Sequence, residues 1–131
     1  MRMILVLTVA FWGALAQASE RGIEQVIGAQ MEAFRAGDVE AAFAYASPGL
    51  QKIFGTSERF GTMVRSGYPP IWQPGYVRLL ERREIAGRLW QKVLVEDSAG
   101  RAHLYDYQMI TEEGVWRINA VQRLPLPDVG V

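Results

Sequence analysis

The chain has 131 residues, 50% of them hydrophobic and 21% charged, and its 14 basic residues balance 14 acidic ones. That is the size and polarity of one globular domain, too apolar and too neutral for a disordered chain, and it lacks the basic excess that nucleic acid or an anionic membrane surface calls for. The absence of cysteine excludes disulfides, thiol nucleophiles, thiolate metal sites and an N-terminal lipid-anchored cysteine.

The N-terminus reads as an export signal. Arg2 precedes an apolar run over 4–16, and Ala16-Gln17-Ala18 places small residues at the two positions that signal peptidase reads, so cleavage before Ser19 is expected. The run is shorter than the ~20 residues that cross hydrocarbon as a helix. The expected organisation is a signal peptide over 1–18 and a single domain over 19–131, periplasmic or secreted, with no stable membrane anchor after cleavage.

The first half of that domain is patterned for helices. Ile23, Val26, Ile27, Met31 and Phe34 recur at the spacing of one helix face, with Ser19 as its expected cap and Gly37 as a left-handed stop. Asp38 opens a second helix running to Ala46, and Ser47-Pro48 a third that halts at Gly55. Thr56 or Ser57 opens a fourth, with Phe60, Met63 and Val64 inward, ending at Gly67. Tyr68-Pro69-Pro70 cannot continue it, and the proline-rich stretch that follows reads as a stiff connector. Trp72 within it is a candidate stacking surface for a ligand, against the plainer role of a core plug.

Four strands follow between Tyr76 and Leu124, separated by turns at Ala86-Gly87, at 97–100 and at 112–114. Helices followed by a meander predict an α+β fold, with N-terminal helices packed on one face of a curved four-stranded antiparallel sheet. A four-residue turn at 97–100 pairs Gln91 with Asp106 and Val93 with Leu104. A three-residue turn at 112–114 pairs Gln108 with Ile118. Both hairpins then give one partition: Leu89, Val93, Val95, Leu104, Ile110, Trp116, Ile118 and Ala120 face the helices. The inward residues of the first strand stay open between Val77 with Leu79 and Arg78 with Leu80.

Ala33-Phe34-Arg35-Ala36-Gly37-Asp38, Ala42-Phe43-Ala44-Tyr45-Ala46-Ser47-Pro48, Ile53-Phe54-Gly55-Thr56 and the stretch from Phe60 to Trp72 resemble a bacterial family of short secreted proteins called domain of unknown function 4864. The family carries no assigned activity and so implies no catalytic residues. More loosely, the element order and the closing Val115-Trp116-Arg117-Ile118 strand resemble the nuclear-transport-factor-2-like cone, a superfold that hosts enzymes, binding modules and dimerisation domains.

In the counted register Gln91, Asp106 and Gln108 interrupt the covered face, where an unpaired polar group is costly. They are therefore candidate ligand-facing residues, with Asp106 a weak candidate general base. The open face carries Trp90, Tyr105, Tyr107 and Met109 among basic residues, which suggests a homodimer interface. His103, the single histidine, points away from Asp106. No metal site, phosphate loop or nucleophile elbow is present, and no cofactor is implied. The favoured reading is a non-enzymatic module that binds a small apolar ligand or a partner protein. The alternative is a cone-fold isomerase or lyase, with Asp106 removing a proton and Tyr45 stabilising the enolate.

Overall fold

The computed structural model of the protein describes the backbone of residues 11–127 and the side chains of residues 22–127. The expected leader over 1–18 lies outside the described side chains. Helix α1 (Phe11–Arg35) buries Ile23, Ile27, Met31 and Phe34 on successive turns, as their spacing predicts. Its backbone continues N-terminal of Ser19, so that residue is not the helix start in the uncut chain. Among the described residues, no helix is long and apolar enough to cross a membrane.

The caps that follow are those the sequence announces. Asp38 accepts the Ala41 N–H at 3.1 Å and starts α2 (Val39–Ala44). Ser47 accepts the Leu50 N–H at 3.1 Å and starts α3 (Pro48–Phe54), and Thr56 accepts the Arg59 N–H at 3.2 Å and starts α4 (Ser57–Gly67). Where a connector was expected, Pro69–Trp72 forms one further helical turn, α5. Proline is tolerated there because its missing N–H falls at the first positions of a helix, where no partner is needed. The helices are knitted together by rings: Phe60 lies 5.8 Å from Phe34, 5.3 Å from Phe43 and 5.4 Å from Phe54. α4 approaches α2 so closely that a Cβ on Gly61 would collide with a methyl of Val39.

Strands β1 (Tyr76–Ile85), β2 (Arg88–Glu96), β3 (Ala102–Glu112) and β4 (Val115–Leu124) form an antiparallel meander in sequence order. The protein is thus α+β, its helices packed on one face of an open four-stranded sheet, an arrangement compatible with the cone. The Ala86-Gly87 turn has two residues, both at positive φ, and would alone bring Leu80 opposite Val93; the register shift between Leu79 and Arg82 instead sets Val77 and Leu79 inward opposite Val95 and Val93.

The two later turns are each one residue shorter than their sequences suggest. Gly100 at φ +78 donates to the Asp97 carbonyl, and Asp97 N–H donates to the Arg101 carbonyl, so the loop is three residues with a glycine bulge. At the other end Glu113 and Gly114 make a two-residue turn, both at positive φ. Gln91 therefore pairs with Tyr107 and Val93 with Tyr105, while Asp106 pairs with Lys92 and Gln122. The two errors cancel across the sheet: β2 and the start of β4 face as expected, and β3 is inverted. A bulge in β4 between the partners of Gln108 and Met109 reverses Ala120 as well.

Tyr105, Tyr107 and Met109 consequently lie buried beneath the helices, and Trp90 stays on the open face. The aromatic surface expected to mediate self-association does not exist as one surface.

Candidate functional site

The inverted strand removes two of the expected site residues from the helix side. Asp106, only 5% exposed, lies on the face away from the helices, where Arg83 Nη1 and Nη2 donate to its two carboxylate oxygens at 2.8 and 2.7 Å. The paired carboxylate holds the Arg83 guanidinium above the usual arginine range, chiefly through these hydrogen bonds. Lys92 beside it donates to Glu81 at 2.8 Å, which lowers the Glu81 carboxyl below its ordinary value. A carboxylate so placed is a structural partner, not a base beneath the helices. Gln108 shares that face and accepts a hydrogen bond from Asn119 Nδ2 at 2.6 Å.

Gln91 does face the helices, buried at 1% exposure, but its amide is fully engaged. It accepts from Arg82 Nε at 3.1 Å and donates to the carbonyls of Leu80 and Lys92, each at 2.9 Å. The pairing of β1 with β2 shifts between Leu79 and Arg82, and Gln91 takes up a carbonyl inside that bulge. Trp72 packs in the hydrophobic core with its ring 5.7 Å from Phe34. Tyr45 follows α2, and its carbonyl accepts the Ile118 N–H at 2.9 Å. None of Gln91, Asp106, Gln108, Trp72 and Tyr45 lines the cavity described next.

That cavity, about 360 Å³, lies between the helices and β4, within the size range of small-molecule sites. Phe34 of α1, Phe54 of α3, Phe60 and Met63 of α4, Ile71 of α5 and Val121 of β4 give it apolar walls. Gln30, Tyr68 and Asn119 supply its few polar atoms. Three local features create the space. The bulge in β4 turns Asn119 out of the ladder, and its Oδ1 accepts a hydrogen bond from the buried Ser47 hydroxyl at 2.7 Å. Ser47 N–H in turn donates to the Ile118 carbonyl at 2.8 Å, so 45–47 is clamped to the free edge of β4. α3 then spans the opening without burying any residue of its own, and Ile53 at its rim is 76% exposed.

Gln30 donates to the Ala42 carbonyl at 3.1 Å and is buried among apolar neighbours. It escaped the sequence reading, although the signal was available: it occupies a stripe position between Ile27 and Phe34 where that helix face otherwise carries apolar side chains. Asn119 had no comparable signal, because its role depends on the bulge.

Across Tyr68 from this space lies a second, more open cavity of about 560 Å³, bounded by Pro69, Pro70, His103, Tyr105 and Arg123. His103 Nε2 pairs with Asp97 Oδ2 at 2.9 Å, and Asp97 Oδ1 accepts the N–H groups of Ala99 and Arg101. The His103 bond foremost, then these backbone donors, hold the Asp97 carboxyl below its ordinary value. Burial raises the Tyr105 phenol, while nearby Arg123 opposes that shift. Burial raises the Tyr107 phenol much further, and its hydroxyl has no hydrogen-bond partner among the described residues.

Chemically, the first cavity can hold an apolar molecule and orient one or two polar atoms; among the described residues no carboxylate, histidine or basic side chain lines it. Among the described residues no cluster of histidine and carboxylate side chains could hold a metal ion. No curated protein and no solved structure matches the chain. A family model does match, over residues 16–131, which take in most of α1, all later helices, the four strands and every cavity-lining residue, and the chain belongs to that family, the domain of unknown function DUF4864.

Proposed function

We propose that the protein is an exported, non-enzymatic module that holds a small apolar molecule between its helices and β4. The observation that carries this reading is the cavity of about 360 Å³, walled by aromatic and aliphatic side chains and bearing few polar groups. Export to the periplasm or beyond is supported by Arg2, the apolar run over 4–16 and the Ala16-Gln17-Ala18 site. The isomerase or lyase alternative loses its base, since Asp106 is bonded to Arg83 on the opposite face.

A thermal-shift screen of lipids, isoprenoids and aromatic acids tests the binding reading. A true ligand should raise Tm saturably, because it binds the folded state alone. No saturable shift with any of these classes would leave a partner-docking role as the better reading.

A further inference from the structure

The cavity's lining carries few polar groups, and a charged side chain stacked on one of them bears on the ligand's class. Ile53 and Phe54 of α3 offer the cavity only hydrocarbon side chains. Tyr68 also lines the cavity, and the Arg123 guanidinium, which bounds the second cavity, lies over that ring, 4.9 Å from its centroid. Arg123 sits two positions beyond the cavity-lining Val121 on the same face of β4, a rise of roughly 7 Å along a strand. Among the described residues no carboxylate pairs with it, whereas Arg83 and Lys92 are both paired. Tyr105 adds a phenol beside it, with its ring centroid 6.1 Å from that of Tyr68.

We infer that the ligand is an amphiphile with a single carboxylate, its hydrocarbon tail in the cavity and its head group bound by Arg123 beside Tyr68. It rests on the cavity's binding a ligand at all. An exposed arginine stacked on the face of a half-buried ring, with no carboxylate partner among the described residues, exchanges that contact readily for a bidentate, charge-assisted pair with a carboxylate. The tail has an upper length. At roughly 30 Å³ for each water-sized group, the volume admits about a dozen heavy atoms.

Calorimetric titration of the purified protein with dodecanoate and with 1-dodecanol, both below their aggregation concentrations, separates head from tail. Wild type should bind the acid more tightly than the alcohol. Arg123→Gln should weaken the acid by about tenfold and leave the alcohol unchanged, the magnitude of one charge-assisted contact. Arg117→Gln, on a residue that lines neither cavity, should change neither. An unchanged circular dichroism spectrum and Tm for Arg123→Gln excludes misfolding as the cause. Equal loss of acid and alcohol, or no loss of acid, overturns the head-group assignment while the binding reading stands. Failure of wild type to bind either ligand overturns both.

Discussion

Removing the Asp106 carboxylate tests the observed strand register as directly as any single substitution. Asp106 is 5% exposed and accepts one hydrogen bond from each terminal nitrogen of Arg83, whose side chain retains 26% exposure. Breaking a buried pair by deleting one partner costs about 3–5 kcal/mol, and partial hydration of Arg83 brings this to the bottom of that range or just below it. Asp106→Ala should therefore cost about 2–3 kcal/mol, within the ~5–15 kcal/mol stability of a domain, so the variant still folds. For a domain of ~100 residues that corresponds to a fall in Tm of roughly 10–15 °C. Urea titrations of Asp106→Ala, Arg83→Ala and the double variant should give a coupling energy of about 1.5–3 kcal/mol. A cost under about 0.5 kcal/mol for Asp106→Ala, or a coupling near zero, would refute the pairing and the register that produces it.

Three further perturbations probe other parts of the structure. Tyr107→Phe removes a fully buried hydroxyl without a partner and should leave stability unchanged or raise it by up to about 1 kcal/mol; a loss of more than that would mean the hydroxyl is bonded. Ser47→Ala deletes the α3 cap and orphans Asn119 Oδ1, so chemical denaturation should report a loss of about 2 kcal/mol, and a loss confined to a few tenths would contradict the clamp. Asp97 is held below its ordinary carboxylate value chiefly by His103, so its stabilisation is complete above the unfolded pKa of ~3.9 and disappears as pH falls through the lower folded value. Urea midpoints followed down this acid limb should fall less steeply in Asp97→Asn than in wild type, and identical slopes would refute the assignment.

The helices were legible because their signals are local. Asp38, Ser47 and Thr56 cap where short polar side chains precede helical runs, and the stripe from Ile23 to Phe34 is set by residues three and four apart on one element. The sheet's order was legible for the same reason, since its turns announce themselves in glycine. Register was not, because in a strand a single residue of turn length exchanges the two faces. Glu113 adopts positive φ without being glycine or asparagine, and the Asp97 side chain stabilises a shorter loop than its four-residue appearance suggests. Agreement between the two hairpins carried no weight, because both were displaced by one residue and only β3 was inverted. The cavity was hidden by the same limit. It depends on the β4 bulge and on the edge clamp at Ile118, both of which are non-local backbone pairings.

Native mass spectrometry of the protein purified after export, alone and with Met63→Trp, measures occupancy of the cavity whatever its ligand is. Met63 lines the space and is half-buried, so the larger ring should fill it while the helices still fold. Binding predicts a small apolar molecule at near-stoichiometric occupancy on wild type and its loss from the filled variant. The bare polypeptide mass in both proteins, persisting after incubation with lipid extract, would contradict it.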